Sequence, residues 1–361
     1  MKRRDFLKKA GVVAAGASLS PLMFAKAQSS TYRWAMVTSW PTSLDTLFGT
    51  AQFIARRLNE VTDGDIEVDV YPAGAQVGAF EVYDAVSSGA FELGHAAPYY
   101  FINKDPAHAF FTSVPFGMPP QEHDAWMYFG GGQELHEELT RPDGVIAFVA
   151  GNTGPQTGGW FNREINTPAD VRGLTIRFPG FGGQVLSALG ANVQNIPGGE
   201  LYLALETGVL DAADWVGPYD DEILELHRVA RYYYLPSWAE PGGSVASYVN
   251  LDLYESLPAD IQAAIQTVSG EANVHMLAHY TARNGEALQR LIDGGTEIRV
   301  FSTELMEALE RETDAIHEQN SQGNELYARI LESYSSFQRG LQQWGRLSDY
   351  SYNSYQFRND E

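Results

Sequence analysis

The chain has 361 residues, with 24 Lys or Arg against 46 Asp or Glu, a formal charge of −22, and no cysteine. That charge excludes nucleic acid and anionic membrane surfaces as general partners. The missing thiols exclude disulfides and cysteine nucleophiles, so stability must come from the core.

Residues 1–9 are basic, 10–22 form an apolar run of mostly small residues, and Ala25-Lys26-Ala27 has the A-x-A form of a cleavage site. Arg3-Arg4 followed by Phe6-Leu7-Lys8 fits the twin-arginine export signal, which is read by a receptor and is not an anchor. Cleavage after 27 removes six basic residues and one acidic, leaving 18 against 45 and a charge of −27. The mature protein is then expected to begin near Gln28 and to be soluble outside the cytoplasm. No later run approaches the roughly 18 uninterrupted apolar residues of a membrane helix.

Residues 32–39 read as a strand, and 44–61 as a helix with Leu47, Ala51, Ile54, Ala55 and Leu58 on one face. Ile66, Val68 and Val70 alternate with Glu67 and Asp69, as in a strand with one buried face. A helix over 79–88 and a strand over 91–97 follow. Strands alternating with helices predict a parallel α/β sheet. The continuous apolar run 145–150 reads as a buried strand that exits through the turn-rich stretch Gly151-Asn152-Thr153-Gly154-Pro155-Gln156.

Thr167-Pro168-Ala169-Asp170 is a helix start, with Thr as cap and Asp three residues on. The strand 174–178 then ends at Pro179-Gly180. Arg177 falls at its carboxyl end, where open α/β sheets bind ligands. A helix over 200–207 closes at Gly208, and 210–216 delivers Asp214 and Trp215 before Gly217-Pro218. After the aromatic extended stretch 232–238, Glu240-Pro241-Gly242-Gly243 forms a bend, and Pro241 holds Glu240 extended. Long amphipathic helices follow over 259–292 and 303–347.

About 330 mature residues exceed what one core usually supports, so two lobes are expected. The division is 28–150 for the first lobe, joined by part of the chain after 240, and 151–240 for the core of the second. Residues 241–361 form a helical region spanning both. With no flexible linker, the chain must cross between lobes in ordered strands, which is a hinge arrangement.

Arg177 offers a planar fork that suits either a structural ion pair or a bound carboxylate, and Pro179-Gly180 leave room for a ligand beside it. Asp214 and Glu240 are either solvated charges or a cation seat, since two neighbouring carboxylates repel unless a cation bridges them. Oxygen donors from these two, the Gln156 amide and a backbone carbonyl favour Ca²⁺ or Na⁺ over zinc, copper or iron. His275 and His279 have zinc-pair spacing, but no Glu follows the first, and no G-x-S-x-G elbow occurs.

Three stretches resemble the solute-binding proteins of tripartite ATP-independent periplasmic (TRAP) transporters. They are Thr167-Pro168-Ala169-Asp170-Val171-Arg172-Gly173-Leu174-Thr175-Ile176-Arg177, the segment 205–215, and Pro115-Phe116-Gly117-Met118 before Glu122-His123. Trp215-Val216-Gly217-Pro218-Tyr219-Asp220-Asp221 and Pro236-Ser237-Trp238-Ala239-Glu240-Pro241-Gly242 are most similar to the 2-oxoacid and lactate receptors.

The resemblance implies a two-lobed periplasmic binding protein fold with the ligand cleft between lobes. It implies a receptor, not an enzyme, that hands its solute to membrane permease subunits, and a homodimer through a long C-terminal helix. Arg177 then binds the substrate carboxylate. Gln156, Asp214, the Trp215 carbonyl and Glu240 hold a cation that touches the ligand, with Tyr99 and Tyr100 as the other lobe's contribution or as packed aromatics. The sodium-dependent pyruvate receptors carry Glu where this chain has Asp214, which leaves Ca²⁺ and Na⁺ both open. A C4-dicarboxylate or sugar-acid receptor, or a secreted hydrolase using the carboxylates, are the competing expectations.

Overall fold

The computed structural model describes residues 32–358, and the export-signal expectation lies outside them. One sheet has the order β2-β1-β3-β10-β4, built from β1 (Tyr32–Thr38), β2 (Ile66–Tyr71), β3 (Leu93–Ala96), β4 (Val145–Asn152) and β10 (Ser244–Asn250). The other has the order β11-β9-β5-β8-β6-β7. Its strands are β5 (Gly159–Phe161), β6 (Thr175–Arg177), β7 (Asn192–Gln194), β8 (Ala212–Ala213), β9 (Tyr232–Leu235) and β11 (Glu297–Val300).

Both sheets are mixed, which corrects the expectation of a parallel sheet. β1 runs parallel to β2 and β3, but β10 lies antiparallel between β3 and β4, and β5 antiparallel between β8 and β9. The reason is the route of the chain. β4 leaves the first sheet for β5 in the second, and β9 leaves the second for β10 in the first, so the returning strand enters against its neighbours. The β10–β4 register shifts between Val245 and Ala246, an irregularity that bends the strand as it leaves the crossing.

β4 is an edge strand by pairing, yet all its residues are buried, because the helix Ala259–Asp293 packs along it. The helix Leu47–Val61 covers β2 with the apolar face read from its periodicity, including Leu47, Ala51, Ile54 and Leu58. Thr167 and Asp170 form the expected cap, the Thr167 amide donating to Asp170 Oδ2 at 2.8 Å. The expected helix over 303–347 is broken into Thr303–Ser321 and Glu325–Gly345. Gly323 between them takes φ 83°, a left-handed turn that glycine adopts freely, and the Asn324 side chain accepts from the Tyr327 amide to restart the helix.

His95 on β3 is fully buried, with Nδ1 accepting from Trp40 Nε1 at 2.8 Å and Nε2 facing the Ala150 carbonyl at 3.2 Å. Burial pushes its pKa down to about 4, against the raising effect of the Ala150 contact. The unfolded chain takes up this proton near pH 6.5 and the folded one only near 4. Stability is therefore complete above 6.5 and falls with pH between those values, by about 3 kcal/mol for this group at pH 4. A His95→Gln variant should show a shallower fall of Tm from pH 6.5 to 4.5 than the parent; parallel curves contradict this account.

Candidate functional site

Arg177 ends β6 and Asp214 follows β8, and these strands pair in parallel with Arg177 opposite Ala213. The Asp214 amide donates to the Arg177 carbonyl at 3.1 Å, which sets the two side chains at neighbouring carboxyl ends of the second sheet. Gln156 and Glu240 come from the two interlobe crossings, which bond to each other. The Gln156 amide donates to the Glu240 carbonyl at 3.1 Å, and the Thr153 amide to the Gly243 carbonyl at 2.9 Å. Tyr99 and Tyr100 reach in from the turn after β3, the Tyr99 amide donating to Thr112 Oγ1 at 2.9 Å.

The Arg177 guanidinium is wholly buried. Nη1 donates to the Asp214 carbonyl at 2.6 Å and stands 3.5 Å from Asp214 Oδ2, while Nε donates to the Ile196 carbonyl at 3.2 Å. The group lies over the Trp215 ring, 5.0 Å from its centroid. Nη2 has a long contact of 3.5 Å to the Tyr100 hydroxyl, so that side of the fork keeps donor capacity toward the lobe boundary.

Five carboxylate and amide oxygens at the site are buried without a hydrogen-bond donor among the described residues: Gln156 Oε1, both oxygens of Asp214 and both of Glu240. Buried polar atoms are ordinarily satisfied, so such a cluster marks a place for a cation or donors from a ligand. Burial holds the Asp214 carboxyl well above the usual carboxylate range, with Glu240 adding to the rise and Arg177 opposing it. Glu240 is raised for the same first reason, again against Arg177. Burial also raises the phenols of Tyr99 and Tyr100, which lie in the opposing fields of Glu240 and Arg177. Two carboxylates and an amide oxygen make an all-oxygen donor set of the kind hard cations take.

The structure thus brings all seven sequence candidates together: Tyr99, Tyr100, Gln156, Arg177, Asp214, Trp215 and Glu240. Tyr99, Tyr100, Gln156 and Trp215, with Trp40 and Gly243, line an inner space of only about 10 Å³. A cleft of about 450 Å³ lies outside it and shares only the two tyrosines. Pro179 and Gly180 line that cleft, so the room expected beside them is there. Gly180 has φ +63°, and a Cβ there would stand 3.2 Å from the Tyr99 Cβ, so glycine serves close approach of the other lobe. His275 stacks on Phe53 with ring centroids 4.1 Å apart and takes no part in the site.

Sequence reasoning missed Thr153 and Gly243. Thr153 Oγ1 accepts from Gln156 Nε2 and from the Gly243 amide, both at 3.2 Å, which orients the Gln156 carbonyl. A Cβ on Gly243 would lie 2.5 Å from Gln156 Nε2. The Gly242-Gly243 pair after Glu240-Pro241 was the available signal, legible as a bend but not as a close approach.

Two α/β lobes joined by paired crossings, with an arginine and oxygens that lack hydrogen-bond donors among the described residues buried at the joint, define a binding protein that closes around a small charged solute. The chain belongs to the bacterial extracellular solute-binding proteins of family 7, the DctP family of TRAP receptors, whose family model matches residues 36–323. It is 43% identical to a monocarboxylate 2-oxoacid-binding periplasmic protein of Nostoc over 98% of this chain and 99% of that one.

Among solved structures, a TRAP transporter solute-binding protein of Bordetella bronchiseptica superposes with a TM-score of 0.90 at 40% identity, covering 92% of this chain and 98% of that one. It is a dimer of mixed occupancy, with copurified calcium and picolinate in one active site and the other apo. A TRAP solute-binding protein of Pseudoalteromonas atlantica, with bound sodium and pyruvate, gives 0.87 at 37% identity, covering 90% and 98%.

Proposed function

We propose that this protein is the extracytoplasmic receptor of a TRAP transporter for a small 2-oxo or 2-hydroxy monocarboxylate, such as pyruvate, another 2-oxoacid or lactate. It takes that acid together with Ca²⁺ or Na⁺ and delivers it to the membrane permease without turnover. The observation that carries this reading is the set of five buried oxygens with no hydrogen-bond donor among the described residues, beside a buried Arg177. The relatives bound to calcium or sodium with picolinate or pyruvate support it.

Gln156, Asp214, the Trp215 carbonyl and Glu240 would hold the cation, and its chemistry is to offset the two carboxylates and accept the ligand's oxygen donors. Arg177 receives the solute's carboxylate on its Nη2 side, with Tyr100 beside it. Tyr99 and Tyr100 close the site from the first lobe and exclude water, which strengthens each charged contact. The space between Tyr99, Tyr100, Gln156 and Trp215, about 10 Å³, is smaller than a three-carbon acid, so loading there requires the lobes to part and close again.

Titration calorimetry with pyruvate, lactate, longer 2-oxoacids and a C4-dicarboxylate tests the assignment. Tight binding of the monocarboxylates, lost on chelation or in sodium-free buffer, is expected. Tight metal-independent binding of the dicarboxylate, or a change in the acid's mass during incubation, contradicts it. A Gly243→Ala variant should bind the cation at least about tenfold more weakly, because its Cβ displaces the Gln156 amide; unchanged affinity removes Gln156 from the donor set.

Export through the twin-arginine route and a homodimer belong to the same proposal. Trp344 near the end of the helix Glu325–Gly345, and Leu347 and Tyr350 in the helical turn Arg346–Tyr350 that follows, are exposed, a set of large apolar groups suited to a second copy. Analytical ultracentrifugation of a chain ending at 340 should show a monomer where the full chain is a dimer.

A further inference from the structure

Two adjacent aspartates that the binding site does not use are fully buried on the short helix Pro218–Ile223, directly after the Asp214-Trp215 pair. Asp221 is tied into the second lobe. Its Oδ2 accepts from Trp160 Nε1 on β5 at 2.9 Å and from the Tyr233 hydroxyl on β9 at 2.7 Å, and its Oδ1 accepts from the Val216 amide at 3.3 Å. Asp220 is tied the other way. Its Oδ1 accepts from Thr46 Oγ1 at 2.7 Å and its Oδ2 from the Tyr280 hydroxyl at 2.7 Å.

Thr46 immediately precedes the helix Leu47–Val61, which packs on the first sheet, and Tyr280 belongs to the helix Ala259–Asp293 that runs along β4. The residue next to Asp220 repeats the pattern. The Tyr219 hydroxyl donates to Asp45 Oδ2 and the Tyr219 amide to Asn284 Oδ1, both at 3.1 Å. One short helix is therefore anchored in the lobe that carries Arg177 and hydrogen-bonded to the lobe that carries Tyr99 and Tyr100.

We propose that Asp220 and Thr46 form an interlobe latch that holds the receptor closed, and that Asp221 couples the latch to the solute site by gripping the Val216 amide beside Trp215. This rests on the receptor reading above. Opening the lobes must break the Thr46–Asp220 bond, since its partners lie on opposite sides of the crossings. Neither residue reaches solvent in the closed form, so no water competes for the bond there, whereas parting the lobes rehydrates the carboxylate. That exchange makes the latch reversible, and its influence falls on release of the solute, not on encounter. Asp220 and Asp221 are positioning residues: neither touches the proposed cation or acid.

The test is a Thr46→Val variant of the full mature chain, followed in two ways. Small-angle scattering without added solute should show a larger radius of gyration than the parent. Stopped-flow tryptophan fluorescence with pyruvate and calcium should show release faster by about tenfold and association within about twofold of the parent. A folded variant with the parent's radius and release rate overturns the latch, as does one that merely lowers Tm. If Thr46→Val does not fold, Tyr219→Phe must shift both readings in the same direction by a smaller amount, and no shift overturns the proposal. The scattering arm uses no solute. A parent that binds no 2-oxo or 2-hydroxy acid would thus sink the receptor reading while the latch is still judged.

Discussion

Replacing Arg177 with methionine is expected to weaken binding of the carboxylate solute by about 10³-fold, the equivalent of about 4 kcal/mol. The guanidinium is buried, so no water takes over its role toward an entering anion. A second effect should accompany the first. Asp214 has its nearest cation 3.5 Å away in Nη1 of this same arginine, and without it the buried carboxyl must stay protonated or destabilise the fold. The variant should therefore melt lower than the parent. Arg177→Lys keeps the charge but not the fork, and should fall between the two in calorimetry. Parent-like affinity in Arg177→Met would remove the arginine from solute binding.

The second large effect is expected at Glu240, and its two readouts move in opposite directions. Glu240→Gln preserves shape while removing one of two buried carboxyls whose ionisation burial opposes and whose oxygens have no donor among the described residues. In metal-free buffer the variant should melt higher than the parent, because a buried amide costs less than a buried carboxylate. On adding calcium, the parent should gain stability by mass action and the variant should gain little at the same concentration. Its cation affinity should drop by about 10²-fold. A variant less stable without metal, yet equally stabilised by it, would show that Glu240 is a structural charge.

Much of this site was legible in the sequence because its residues stand at strand ends and bends, where local signals are strong. Arg177 precedes Pro179-Gly180, Asp214 precedes Gly217-Pro218, and Glu240 precedes Pro241. Each punctuation mark places a polar side chain at the mouth of a sheet. Strand direction was not legible in the same way. β10 and β5 look locally like any apolar strand, and only the path of the chain through two lobes makes them antiparallel to their neighbours.

The close approaches were hidden for a related reason. Gly180 and Gly243 are glycines because Tyr99 and Gln156 come from far along the chain to occupy the space a Cβ would need. The break at Gly323 was misread because the apolar periodicity continues on either side of it, from Leu305 and Leu309 to Tyr327 and Ile330. Asp220 and Asp221 drew no chemical reading at all. In so acidic a chain, two more carboxylates carry no signal until their opposite partners are seen.

The central claim is that buried oxygens of Gln156, Asp214 and Glu240, with the Trp215 carbonyl, seat a cation that shares a small acid with Arg177. A crystal structure of the protein as purified, soaked with pyruvate and collected for anomalous scattering, tests it most directly. The account predicts a cation bound to those four residues, with about 6–8 oxygens at about 2.3–2.6 Å if it is calcium, and a carboxylate on Arg177. A solute bound in the cleft while Asp214 and Glu240 remain without a cation would contradict it.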